Sequence, residues 1–177
     1  MKRQVKRGLF ILLAVILLLP TPVMAASKKK KALKAYAAFL SKPSIKRGIW
    51  DTLYTKNCSF AIAYVDNNNT PEMVLYHEDS CHALGWLSLY TFRGGKVALV
   101  GYMYGDYLAT LGYYKKTGIL LDNYTVQGSG GYWYNKLSKG KFVACDDKEI
   151  KKVIRRKKLT KYRFHKNSKK NRRRYLK

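Results

Sequence analysis

Residues 60–77 read FAIAYVDNNNTPEMVLYH, two apolar runs separated by Asp66-Asn67-Asn68-Asn69-Thr70-Pro71. How this stretch is read decides the fold. Val, Ile, Tyr and Phe suit a pleated chain, and an Asn/Asp cluster between two such runs is a turn signal. Asn tolerates positive φ and bonds nearby backbone, so the segment predicts an antiparallel hairpin turning near Asn69.

Outward from this point the pattern repeats. ALGWLSLYTF and VALVGYMYG flank Arg93-Gly94-Gly95-Lys96, LGYY and ILLDNY flank Lys115-Lys116-Thr117-Gly118, and GYWYNKL and FVAC flank Ser138-Lys139-Gly140. Turn centres near 69, 94, 116 and 139 recur about every 23 residues, one hairpin per repeat, hence about eight strands in a meander. A propeller blade needs about 40–45 residues, so that architecture could not close here. The expected fold is mainly β, an antiparallel meander that hides its edges as a barrel or a sandwich.

The flanks change period. Leu33, Tyr36, Ala37 and Leu40 recur at three and four, which predicts a short amphipathic helix able to dock on the sheet. Past Cys145, Asp146 or Asp147 suits a helix cap, and Glu149 suits the first turn. Ile150, Val153 and Ile154 share one face of that helix. TKYRFH reads as extended, and Asn167 or Ser168 as the cap of a last helical turn.

Charge divides the chain. Lys2, Arg3, Lys6 and Arg7 precede the apolar run GLFILLAVILLL, and small residues end at Ala25, the layout of an export signal cut after that residue. The alternative is an uncleaved anchor, since about 16–18 apolar residues lie at the lower limit for spanning a bilayer. Cleavage would leave 152 of the 177 residues, enough for one domain with a core. Residues 26–49 form a basic segment of net +8 that includes the amphipathic helix; 50–147, the β-meander, carry −1. Residues 148–177, the basic C-terminal arm, hold sixteen Lys/Arg against one Glu. Such an arm attracts polyanions through its field and through counterion release. Arg155, Arg156, Lys157, Lys158, Arg172, Arg173 and Arg174 are the candidate polyanion-binding residues.

Three cysteines reach an oxidising compartment if the chain is exported. Reflection about Asn69 sets Cys58 opposite residue 80, so Cys58–Cys81 is the expected disulfide, with Cys145 left over. Such a staple is worth about 3 kcal/mol in the loop-entropy picture.

The opening hairpin has a second reading. Calcium loops take oxygens from alternate residues, and the register that fits these strands offers Tyr64, Asp66, Asn68, the Thr70 carbonyl and Glu72. FAIAYVDNNNTPEMVLY resembles the Asp/Asn-rich hairpins of exported bacterial proteins with FG-GAP or VCBS-type calcium loops. Tyr64 stands where that pattern has its first Asp, and Asn69 where it has glycine. The wider layout, residues 33–177 with its tyrosine-rich strands and lysine-rich end, resembles small exported proteins of unknown function from Gram-positive bacteria. That resemblance implies secretion and a β-rich fold, and no activity. No cofactor is expected. Asp66, Asn68, Thr70 and Glu72 are read as a turn that keeps the outline of a calcium site.

Other chemistry finds little support. HEDSCH (77–82) spaces its histidines by five on a segment leaving a strand, not by four on a helix as a zinc protease requires. Cys145 precedes two Asp residues, which suppress a thiolate. No G-x-S-x-G elbow is present, and Gly128-Ser129-Gly130-Gly131 lacks the Lys of a phosphate loop. Asp106, Asp122 and Glu78 have no visible partner in the sequence. Adjacent aromatics such as Tyr132-Trp133-Tyr134 must present rings on both faces of a strand, which offers a stacking platform to glycans. The expected function is a secreted, non-catalytic binding module that docks to an anionic envelope polymer, matrix polymer or membrane surface. It is not expected to be an enzyme or a specific nucleic-acid binder. The alternative is a small secreted wall-directed hydrolase or inhibitor.

Overall fold

The computed structural model describes residues 22–46, 52–78, 86–106, 108–126 and 129–177. Most of the expected signal segment, and Cys81 of the expected disulfide, lie outside them. Helix α1 (Pro22–Leu40) leads into a small hairpin, β1 (Ser44–Lys46) and β2 (Thr52–Tyr54). Eight strands follow: β3 (Cys58–Ala63), β4 (Glu72–His77), β5 (Leu87–Arg93), β6 (Lys96–Met103), β7 (Gly112–Tyr114), β8 (Ile119–Val126), β9 (Ser129–Ser138) and β10 (Lys141–Val143). The chain ends with α2 (Asp147–Arg156), β11 (Leu159–Lys161), β12 (His165–Lys166) and α3 (Lys169–Tyr175).

The eight-strand meander splits into halves. β3 to β6 and β7 to β10 form two antiparallel sheets, in the orders β12-β3-β4-β5-β6 and β10-β9-β8-β7-β11. Ala61, Val74, Leu87 and Leu89 of the first sheet pack with Tyr113, Leu120 and Leu137 of the second, the inner layer of a sandwich. The other face of the first sheet, with Phe60, Met73, Leu75 and Tyr90, packs under Ala32, Leu33, Tyr36 and Leu40 of α1. That explains why FAIA and MVL are apolar at every position. Their sheet is covered on both faces, so neither parity of the two-residue period faces water.

The sandwich edges close by side chains. β6 and β10 approach one another, and the Phe142 ring lies where a Cβ on Gly101 would stand, 2.6 Å away. On the opposite edge the chain crosses between sheets from β11 to β12, with Tyr162 and Phe164 packed against the inner core. Among the described residues no continuous ladder joins the two sheets, so they form a sandwich and do not close as a barrel.

The C-terminal segment departs from the expectation of an appended arm. It supplies an edge strand to each sheet: Thr160 pairs with Tyr113, and His165 with Phe60. α3 packs on α1, burying Leu176 in the same cluster as Leu33 and Tyr36. The small β1–β2 hairpin also crosses the expected segment boundary at residue 49.

Candidate anion-binding surface

The helical layer gathers both charged ends of the chain. Neither α1 nor α3 contains an acid, while α1 carries Lys28 to Lys31 and Lys34, and α3 carries Lys169, Lys170 and Arg172 to Arg174. Their apolar faces share one core, so their cations are turned outward around it. Asn167 fastens this junction by donating from Nδ2 to the carbonyls of Leu40 and Thr55, each at 2.9 Å. Arg172 donates to Asn167 Oδ1 at 2.7 Å, which makes it a structural fastener as much as a surface cation. Arg173 and Arg174 are exposed, the latter over the ring of Tyr175. Tyr175 in turn stacks on His165, whose pKa is lowered by burial and by Arg174 and Arg163.

The other candidates sit at the opposite end of the segment. Asp146 caps α2 by accepting from Lys148 N at 3.0 Å, and Asp147 and Glu149 occupy the first turn while Arg155 and Arg156 occupy the last. That order complements the helix dipole. Arg155 to Lys158 are all exposed. Among the described residues the ion pair of this segment joins Glu149 to Lys136, so its single acid is used on a cation outside it.

The Asp/Asn loop is built as a turn. Asp66 accepts from Asn68 N at 3.1 Å and from Asn68 Nδ2 at 2.7 Å, and Asn68 Oδ1 accepts from Thr70 N at 2.6 Å. Asn69 takes φ 59°, the left-handed conformation expected of it. Glu72 points the other way, fully buried, with Oε2 accepting from Val65 N at 3.0 Å. Its Oε1 and Thr70 Oγ1 have no partner among the described residues. Burial, and then the Asp66 charge, push the Glu72 carboxyl up to about 8. The donor set fits a calcium ion poorly: the Asp66 and Asn68 oxygens serve the turn, and Glu72 favours its proton. No group of three His, Cys, Asp or Glu residues converges among the described residues.

The hairpin register differs from the reflection about Asn69. Cys58 faces His77, three residues short of the expected position, because the loop spans Tyr64 to Pro71 and centres earlier. Cys58 Sγ lies 3.6 Å from His77 Nδ1, and His77 Nε2 lies 2.9 Å from Ser88 Oγ. No disulfide forms among the described residues. A thiol beside an imidazole can ionise, but all three groups are buried under the helical layer, which makes the row a polar seam in the core. Sequence reasoning missed it, since Ser88 carries no signal in isolation. The pKa of the Cys145 thiol is raised as expected, but chiefly by burial and then Glu149, with the flanking Asp146 and Asp147 contributing less.

The dispersed carboxylates serve the backbone. Asp122 accepts from the amides of Tyr104, Gly105 and Asn123 and from Trp133 Nε1, the last at 3.1 Å. It is 1% exposed and anchors the end of β6 to β8. Asp106 accepts from Thr125 N. The aromatic platform is only part open. Trp133 stacks on Tyr124 at 5.0 Å and meets Tyr104 edge-on, while Tyr132 on the opposite face is 62% exposed.

Compared with known proteins, the chain matches no family model, no curated protein and no solved structure.

Proposed function

We propose that this protein is an exported, non-catalytic binding module that docks onto an anionic polymer of a cell envelope or matrix. One observation carries this reading. Sixteen Lys/Arg lie between residues 148 and 177, and those from Lys161 onward sit on a segment held by strand pairing and helix packing, while the segment's single acid is spent on Lys136. Cations fixed in place lose less side-chain and backbone freedom on binding than cations on a loose tail. They still release counterions from the polymer.

Truncation at Asp147 would remove an edge strand from each sheet, so side-chain substitution is the proper test. The full chain with Arg155→Gln, Arg156→Gln, Lys157→Gln, Lys158→Gln, Arg173→Gln and Arg174→Gln loses the Arg174–Tyr175 cation–π pair, the Arg174 charge near His165 and the basic last turn of α2, and keeps the other contacts described above. On immobilised heparin or purified wall polymer it is expected to elute at markedly lower salt than the parent chain, with an unchanged circular dichroism spectrum. Equal elution would overturn the role given to these residues.

A further inference from the structure

The repeat of about 23 residues has a spatial consequence. In a meander every second turn falls at the same end, so the turns of all four hairpins gather at one pole of the sandwich. Lys116 N donates to Tyr64 O at 3.0 Å and Gly118 N to Val65 O at 2.8 Å, joining the third turn to the first. Arg93 Nη1 donates to Lys139 O at 2.9 Å, joining the second to the fourth. Three of these turns each carry two cations: Arg93 and Lys96, Lys115 and Lys116, Lys139 and Lys141. Lys28 and Lys29 of α1 reach the same pole, Lys29 above the Tyr64 ring. Against these eight stands Asp66, both of whose oxygens are already held by Asn68.

A cleft of about 350 Å³ opens here, lined by Lys28, Asn68, Arg93, Gly94, Lys139 and neighbouring residues. The bond from Arg93 to the Lys139 carbonyl fixes the guanidinium at the cleft wall and leaves most of its donors uncommitted. Gly94 and Gly95 add no side chain, and nothing approaches within 4 Å of where their Cβ atoms would stand. Three cations and an amide around a recess match a tetrahedral oxyanion, which takes several short charge-assisted bonds at once. We propose that this pole is a second binding site, distinct from the C-terminal cations, for a phosphate or sulfate group presented by a soluble molecule. A recess rimmed by lysines favours a group that can enter it over a flat headgroup plane, and Phe92 is the one large apolar side chain lining it.

The test is a titration of the isotope-labelled full chain with inorganic pyrophosphate and, separately, with phosphatidylglycerol vesicles, read by amide NMR shifts. Pyrophosphate is expected to shift Gly94, Gly95, Lys139 and Gly140 saturably. Arg93→Gln with Lys139→Gly and Lys28→Gln should weaken that binding by about tenfold or more, since each lost charged bond counts. The six C-terminal substitutions should leave it unchanged. All three pole positions are exposed, and glycine suits the left-handed φ of 49° at Lys139, so the variant keeps its fold. Shifts that never saturate, that map to 155–177, or that survive the triple substitution would overturn the proposal. So would vesicles perturbing the pole when pyrophosphate does not.

Discussion

Glu72 is the residue whose chemistry differs most from its appearance in the sequence. In the string DNNNTPE it reads as the closing ligand of an ion loop, yet its side chain is turned into the core and its carboxyl is pushed up to about 8. The unfolded carboxyl titrates near 4.5, so the folded chain holds the extra proton between that value and about 8. The stability tied to it is complete below the lower value and is lost as pH rises through the upper one. Thermal unfolding should therefore show Tm falling across this window, and Glu72→Gln should flatten the fall and be the more stable form above it. A Tm that rises over the same window in the parent chain alone would contradict the burial. His77 allows a second check. Its ring bridges Cys58 and Ser88, so His77→Ala leaves the Ser88 hydroxyl buried without that partner, at a cost of about 1–3 kcal/mol in chemical denaturation. A loss within error would remove the seam from the account. Neither feature was legible beforehand. Strand alternation tells which residues share a face, but the partner across the ladder depends on the loop's true centre, and a centre earlier than Asn69 sets Cys58 opposite His77, three residues short of the expected position 80.

At the level of strands and helices, the long patterns were legible, while of the short ones the extended character of TKYRFH was readable but not its split into an edge strand for each sheet. All four hairpins, the docking face of α1 and the caps of α2 and α3 were readable, because each carries a periodicity or a turn residue with a physical cause. β11 and β12 span three and two residues, and both are rich in Lys and polar groups. No periodicity exists over so few positions, and such strands form only because β7 and β3 offer unpaired edges. Their importance is testable at Gly112. A Cβ there would stand 2.5 Å from the Thr160 carbonyl oxygen of β11, a backbone atom that cannot move alone. Gly112→Ala should therefore detach β11, lower Tm by several degrees and expose the 158–163 backbone to limited proteolysis. Unchanged protease resistance would show that the strand is not seated there. The aromatic run Tyr132-Trp133-Tyr134 was half legible: both faces carry rings as expected, but Trp133, though 41% exposed, is also held by Tyr124, Tyr104 and Asp122.

Taken over the entire chain, the segregation of charge was plain from composition, but its arrangement in space was not. Two basic ends separated by a nearly neutral middle look like independent arms. The sandwich instead brings them together, because the apolar stripes of α1 and α3 need the same face of the first sheet. The same topology collects three basic turns at one pole, which no local pattern announces. Cations held in a fixed array should engage a polymer at many points at once. The measurement closest to this is the affinity for a soluble anionic polymer, such as heparin, as a function of salt. The account predicts a steep linear fall of log K with log salt, and a slope that shrinks by about one for each contact removed among Arg155 to Lys158, Arg173 and Arg174. A slope near zero, or one that those substitutions leave untouched, would contradict it.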